Sequence, residues 1–458
     1  IQAERPQDAL EVLERMADAG LGYDTADENA VLAGAGAARL AAVQTRLAAN
    51  LDATGHAERA AAIANELIGS RGVTLFCARD DIFPVLDERI EIRKIPSLFE
   101  PTGQEAPAMA ALPMPETVHC APLGWPTITD AFAALSGWFA QARPALFVTD
   151  VSAELGQLAR LCSVPHVAVL QHGERGDAGH LAAYDSAVGL LAPYSERIEQ
   201  HDRPAYLRRK TQYASGVGID CSPFPAKREA RRKLGLGEED DIVLVIAGGG
   251  GEGTSSTPLT LGARAEPEAR WITIGKVRSE WHETPPGNLE HRGWVENPRD
   301  WIAAADRVVS SCGNTTVHMV LAAGKPWVVI PEWRYFDEQF CKAEVLDREG
   351  LAAVSRHWPS HPAAWERLWT AAALIDVEQQ RAIIEPRPAQ AAAAWPDSLA
   401  AELCRGTAGT PPLETVARRF RSVRSRTAVT TILPILSADC TIPGDRRPNL
   451  RAQSSSIL

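Results

Sequence analysis

Two tandem α/β domains, each built on a parallel sheet, are what this sequence predicts. Three observations carry that expectation. Strand-like and helix-like segments alternate from about residue 127 to His172; the alternation stops in the Gly/Pro-rich stretch Gly216–Pro225; and it restarts at Lys227 and continues to about Ile384. With 458 residues and 45% hydrophobic content, the chain can bury two cores of roughly 150–200 residues each.

The expected organisation runs as follows. Residues 1–38 read as a helical appendage, with Ala9, Leu10, Val12, Leu13 and Met16 at helical spacing. Residues 39–216 form the first α/β domain, 217–225 the linker, and 226–384 the second domain. In the first domain the segment RLAAVQTRLAANLD is richer in helix formers than in strand formers. Thr54-Gly55-His56 then opens a helix, one predicted strand ends on Asp150, and another ends at Gln171-His172-Gly173. In the second domain Trp358, Trp365 and Trp369 share a helical face, as expected of a helix packed on the domain. Residues 385–458 lose the alternation, and from Arg405 to Arg451 arginines outnumber Glu414, Asp439 and Asp445. That composition predicts an irregular, disordered basic tail.

A formal charge of −11 argues against general nucleic-acid binding, which needs a basic face. The eight cysteines are scattered, with no CxxC pair and no zinc-type Cys/His spacing. Reduced thiols, a cytoplasmic location and no bound metal are therefore expected. No run of 18 apolar residues is present, so no transmembrane segment is expected; the basic tail leaves peripheral membrane association open.

Val308–Gln339 is the most informative stretch. A short apolar strand breaks at Ser310–Gly313, a helix runs from Asn314 to Ala323, Gly324 stops it, and a second strand ends at Pro331. This βαβ unit delivers Gly313, Asn314, Thr315 and Thr316 to a helix N-terminus, where backbone N–H groups and the helix dipole favour an anion such as a diphosphate. Asp337, Glu338 and Gln339 follow at a strand's carboxyl end, where open α/β sheets bind ligands. A second glycine-rich loop, Gly248–Gly253, includes Gly249 and Gly250 and matches the dinucleotide fingerprint. The acidic residue that a nicotinamide dinucleotide site needs after the next strand is replaced by Gly275-Lys276, which disfavours a dehydrogenase.

Two restarting α/β halves, a GH-plus-helix element at Gly55-His56, and GNTTVHMVLAAGKPWVVIP followed by FDEQ resemble the GT-B glycosyltransferases. The similarity is greatest to the family 28 group, which includes the peptidoglycan N-acetylglucosaminyltransferase, and it covers roughly residues 40–380. The resemblance implies two Rossmann-like α/β/α domains facing each other across a cleft. It implies a metal-independent, inverting transfer of a hexose-type sugar from a nucleoside diphosphate, UDP by resemblance alone, to an acceptor hydroxyl of unknown identity. The nucleotide sugar is then a co-substrate, and no resident cofactor is expected. Carried over, Gly313–Thr316 would cradle the diphosphate, Trp294 and Val295 would flank the base, and Glu338 and Gln339 would bind the donor sugar. His56 would be the catalytic base, with Arg59, Asp150 and His172 as further cleft candidates.

Two positions depart from the family pattern. Met319 stands where the family has a ribose-binding Glu, with His318 as a neighbouring substitute, and the segment before Gly55 makes a poor first strand. A nucleotide-sugar hydrolase or epimerase, and a non-catalytic relative that only binds the sugar nucleotide, therefore remain open beside the transferase.

Overall fold

The computed structural model describes residues 54–248, 253–278, 284–404 and 429–432. The expected appendage at 1–38, the segment 39–53 and the two candidate residues Gly249 and Gly250 lie outside the described residues. Helix α1 (Thr54–Leu67) opens the first half; its alanine-rich sequence costs little as helix, and Ala57, Ala60, Ala64 and Leu67 bury one face. Then follow β1 (Val73–Cys77), β2 (Glu91–Lys94), α2 (Pro126–Ala142), β3 (Leu146–Asp150), α3 (Ala153–Leu161), β4 (His166–Val169), α4 (Ala178–Ser186), β5 (Gly189–Ala192) and β6 (Thr211–Tyr213). The strands β1, β3, β4 and β5 are buried along their whole length, as parallel strands covered on both faces must be. Strand β2, sequence EIRK, is exposed throughout and ends the sheet; its charges discourage pairing with another chain.

The second half comprises α5 (Lys227–Leu234), β7 (Ile242–Ala247), α6 (Ser256–Ala265), β8 (Arg270–Gly275), β9 (Leu289–His291), α7 (Pro298–Ala304), β10 (Arg307–Ser310), α8 (Asn314–Ala323), β11 (Trp327–Val329), α9 (Glu338–Arg348), β12 (Ala353–Val354), α10 (Pro362–Ala373) and α11 (Val377–Arg381). Its strands are all parallel in the order β9-β8-β7-β10-β11-β12, the doubly wound arrangement whose carboxyl ends receive ligands. Trp365 and Trp369 are buried as the helical spacing predicts. Trp365 stacks on Trp369 at 5.8 Å and meets Trp271 edge-on at 5.1 Å.

Residues 385–404 depart from the expected irregular tail. After α11 the chain crosses back, with the Glu385 N–H donating to the Ser215 carbonyl at 3.1 Å, and α12 (Pro388–Leu403) lies on α1. Ala392, Ala393, Leu399 and Ala400 supply the buried face, a helical period that the surrounding prolines and arginines obscure in the sequence. Gly189 has no side chain because a Cβ would stand 2.5 Å from the Trp395 ring.

A larger departure is β13 (Val429–Ile432), which inserts into the first sheet. The order there is β2-β1-β13-β3-β4-β5-β6, all parallel, with Val429 paired to Val73 on one side and to Leu146 on the other. In the second sheet the corresponding interior place belongs to β7, the first strand of that half. Part of the segment expected to be a disordered tail thus fills the place that a strand directly before α1 would take, and the helix-prone composition of 39–52 left that place without a local candidate. The expectation of free thiols throughout also needs correction: six described cysteines are free, but Cys120 is disulfide-bonded. Pairing follows proximity in the fold, which scattered sequence spacing does not reveal.

Candidate active site

The carboxyl ends of the two sheets face each other, and three first-half elements converge there. The start of α1 presents His56, which is 9% exposed; the end of β3 presents Asp150; and the turn after β4 presents Gln171. His56 Nδ1 lies 3.1 Å from Asp150 Oδ2, and Gln171 Nε2 lies 3.4 Å from His56 Nε2. The Gln171 amide asks Nε2 for a lone pair and the Arg59 guanidinium, 2.7 Å from Nδ1, asks that nitrogen for one, so one neutral tautomer cannot serve both donors. The Asp150 carboxylate, which can only accept, is served by Nδ1–H. Arg59, one turn along α1, donates to both Asp150 oxygens at 2.6–3.0 Å and has its Nη2 2.7 Å from His56 Nδ1. Burial alone would raise the Asp150 carboxyl, but Arg59 and then His56 outweigh it and hold the pKa at about 2.

Across the cleft stands the N-terminus of α8. The first intrahelical bond runs from the Val317 N–H to the Gly313 carbonyl at 2.9 Å, which leaves the N–H groups of Asn314, Thr315 and Thr316 outside the helical ladder, at the positive end of its dipole. The loop is held from behind by Lys342, a fully buried side chain of α9. Its ammonium donates to the Cys312 carbonyl at 3.2 Å, to Asn314 Oδ1 at 2.5 Å and to Glu338 Oε1 at 3.5 Å. Burial lowers the Lys342 pKa, against the opposing pull of Glu338. Burial would in turn raise Glu338, yet Lys342, Arg175 and His56 hold it below the ordinary carboxyl range. The cleft floor is therefore a set of interlocked charges with a cationic loop support.

The two halves touch at this point. A Cβ on Gly55 would stand 3.3 Å from Thr315 Oγ1, and that hydroxyl donates to Glu58 Oε2 at 3.4 Å. The Glu174 N–H donates to the Phe336 carbonyl at 2.6 Å, while the Arg175 guanidinium sits 4.6 Å over the Phe336 ring and 3.6 Å from Glu338. Phe336 and Asp337 both have left-handed backbone, φ 59° and 50°, a strained state for non-glycine residues that the contacts around them must offset. Gly173 has φ 118°, and a Cβ there would lie 2.8 Å from the Phe336 carbonyl oxygen. Gly173→Ala is accordingly expected to push the halves apart at this contact and to lower thermal stability by about 1–3 kcal/mol; calorimetry of the variant checks this.

The other candidates fall in different settings. Trp294 is 70% exposed and Val295 packs partly against the second-half core. Thr316 is buried at the α8 start, and Asp337 precedes α9 in its left-handed turn. Gln339 has its side-chain oxygen engaged: it accepts from the backbone N–H groups of Cys312 and Glu332, both at 2.9 Å, and so ties two loops together. His172 is buried rather than open to the cleft; its Nε2 donates to the Ile198 carbonyl at 2.7 Å and its ring lies 4.2 Å from that of Tyr194. Met319 is half-buried against the second-half core, which suits a thioether and not a carboxylate. Sequence reasoning missed Gln171, Glu58, Lys342 and Phe336 and gave Arg175 no role. Only Lys342 carried a signal, one helical turn after Glu338. Among the described residues, His119, Asp177 and His180 bring ligand atoms within 4.8 Å of one another. Within that group both ring nitrogens of His180 are already engaged: Nδ1 is 2.5 Å from Asp177, and Arg175 approaches Nε2 to 3.3 Å.

No protein-family model matches the chain, and no curated protein matches it. Solved structures do resemble it. Arabidopsis thaliana UGT89C1, complexed with quercetin, is 13% identical over 78% of this chain and 98% of its own, with a TM-score of 0.52. Phytolacca americana UGT2, complexed with UDP-2fluoro-glucose and pterostilbene, gives the same identity, coverage and TM-score. MurG of Acinetobacter baumannii is 16% identical over 75% of this chain and 92% of its own, with a TM-score of 0.47. The first two likenesses bear out the expected fold: two Rossmann-like domains facing each other, the GT-B arrangement. Among the described residues no helix is long and apolar enough to cross a membrane.

Proposed function

We propose that this protein is a glycosyltransferase that moves a hexose-type sugar from a nucleoside diphosphate to an acceptor hydroxyl, without a metal and with inversion. The observation that carries this reading is the juxtaposition of a backed imidazole with an anion-binding helix start. Gly55, the residue before His56, is in van der Waals reach of Thr315, so a base and a diphosphate cradle open onto the same small volume. The two plant proteins of like fold, one complexed with UDP-2fluoro-glucose and one with quercetin, fit a sugar-nucleotide donor and a hydroxylated acceptor.

In this reading the diphosphate lies on the N–H groups of Asn314, Thr315 and Thr316, with Lys342 supporting the loop and adding positive charge beneath it. Glu338, ionised between Lys342 and Arg175, accepts hydrogen bonds from hydroxyls of the transferred sugar. The acceptor hydroxyl gives its proton to His56 Nε2 while its oxygen forms the new bond to the anomeric carbon. The bond from that carbon to the diphosphate oxygen breaks with its electron pair, and the nucleoside diphosphate leaves. A single in-line displacement inverts the centre. Asp150 orients the imidazole through Nδ1–H and stabilises the imidazolium that forms.

Incubation with UDP-, dTDP- and GDP-sugars, tested for binding and for nucleoside diphosphate release, checks the reading, with UDP-sugars expected to be used. Release that depends on a hydroxylated acceptor supports transfer. Free sugar released at a rate no acceptor alters would show hydrolysis instead, and failure to bind any donor would overturn a sugar-nucleotide site altogether.

A further inference from the structure

The turn after β4 that brings Gln171 to His56 is gripped by one short segment that the mechanism above leaves unused. Glu199, Gln200 and Arg203 follow β5, and all three are buried. Three consecutive residues of the turn are tied to this segment. Arg203 Nη2 donates to the Gln171 carbonyl at 2.8 Å. His172 Nε2 donates to the Ile198 carbonyl at 2.7 Å. The Gly173 N–H donates to Gln200 Oε1 at 2.6 Å, and the Gly173 carbonyl accepts from Gln200 Nε2 at 3.3 Å.

This clamp is braced from behind. Arg203 Nε and the Gln200 N–H both donate to Glu199 Oε1, at 3.3 and 2.8 Å, while the hydroxyls of Tyr194 and Tyr213 donate to Oε2 at 3.0 and 3.1 Å. Its base rests on the second half. Arg348, at the end of α9, donates to the Glu199 carbonyl at 3.1 Å, and Arg197 donates to Glu349 at 3.1 Å and to Gln379 at 2.8 Å.

Stability alone does not account for the arrangement. Burying an arginine with a glutamate carries a desolvation cost that apolar side chains of similar volume avoid. What the pair does provide is a direction: the guanidinium fork, fixed by Glu199, aims a second N–H at one carbonyl oxygen. That carbonyl belongs to Gln171, whose amide meets the candidate base. The amide–imidazole contact spans 3.4 Å, near the limit at which a hydrogen bond is made, so a small shift of the turn decides whether it persists. A functional side chain keeps such a position only when the groups behind it are locked.

We propose that Arg203 and Gln200 are positioning residues of the candidate active site: by clamping the backbone at Gln171 and Gly173 they hold the Gln171 amide against His56 Nε2, and so fix the plane of the imidazole. This rests on His56 being the base, as read above. Neither residue touches substrate.

Double-mutant cycles test it. Side-chain nitrogen NMR spectra of the histidines, with His56 assigned by its loss in His56→Ala, are compared for wild type, Gln171→Ala, Arg203→Lys, Gln200→Ala, and each of the last two combined with Gln171→Ala. Lysine keeps the charge opposite Glu199 but not the fork. Arg203→Lys and Gln200→Ala are each expected to move the His56 resonances in the direction in which Gln171→Ala moves them, and to add nothing in the Gln171→Ala background. Sugar transfer should follow the same pattern. Each single variant lowers kcat about tenfold with donor affinity unchanged, and the double variants are no slower than Gln171→Ala. Melting curves show which variants are folded, and Gln200→Ala, which leaves the Glu199–Arg203 pair in place, keeps the cycle measurable if Arg203→Lys does not fold. A His56 signal that only Gln171→Ala moves, losses that multiply in the double variants, or wild-type kcat in both clamp variants overturns the proposal. The expected shifts in a chain that binds no sugar nucleotide would leave the clamp standing and overturn the donor-site reading.

Discussion

Replacing His56 by alanine is expected to reduce sugar transfer by about 10²–10⁴-fold, the range lost when a positioned general base is removed. Donor binding should hardly change, because the anion cradle belongs to α8 and His56 touches Gln171, Arg59 and Asp150. Turnover and donor affinity measured on the same preparation separate these effects, and a variant with wild-type turnover would remove His56 from the mechanism. Asp150→Asn is expected to lose much of the same activity, since an amide can no longer stabilise the imidazolium and leaves Arg59 buried without its carboxylate. The pH dependence of stability offers a second readout. The folded carboxyl titrates at about 2, below the ordinary value of about 3.9. Its contribution is therefore fully present above about pH 4 and is lost as pH falls toward 2. Acid denaturation of Asp150→Asn should lack that part of the profile.

Removing residues 405–458 is expected to have the larger effect on folding. The deletion takes away β13, and with it the ladder partners of residues 73–76 and 146–149. Parallel strands lie about 4.8 Å apart, so β1 and β3 cannot pair directly without moving toward each other by about one strand spacing. Their backbone groups, left unpaired in a buried sheet, would cost about 1–3 kcal/mol each. The first half should unfold or aggregate while the second keeps its own sheet. Hydrogen exchange would then show loss of protection at 73–77 and 146–150 with protection retained at 242–247. Thr430→Pro makes the same point with one atom group, since proline removes a ladder donor from an interior strand and leaves its buried carbonyl partner unsatisfied, at a cost of about 1–3 kcal/mol. A shortened chain with unchanged exchange at β1 and β3 would show that the sheet closes without β13.

The sequence by itself determined the architecture of the second half and where its candidate anion site lies. Apolar runs such as IVLVIA report strands buried on both faces, Gly324 stops α8 where a left-handed residue is needed, and an anion site at a helix start is a local property of a βα turn. His56 was legible too, because a GH pair opening a helix is read within a few residues. Only the tertiary structure decided what lies behind these groups. Asp150 reaches His56 from 94 positions away, Gln339 turns its oxygen to two backbone N–H groups, and Lys342 is buried beneath the loop it supports. It also decided that 429–432 belongs to the interior of the first sheet, more than 280 positions from Leu146. The physical reason is common to all of these. Propensity and periodicity are read between neighbours in the chain, whereas a ladder place or an ion pair depends on partners that only folding brings within a few ångströms.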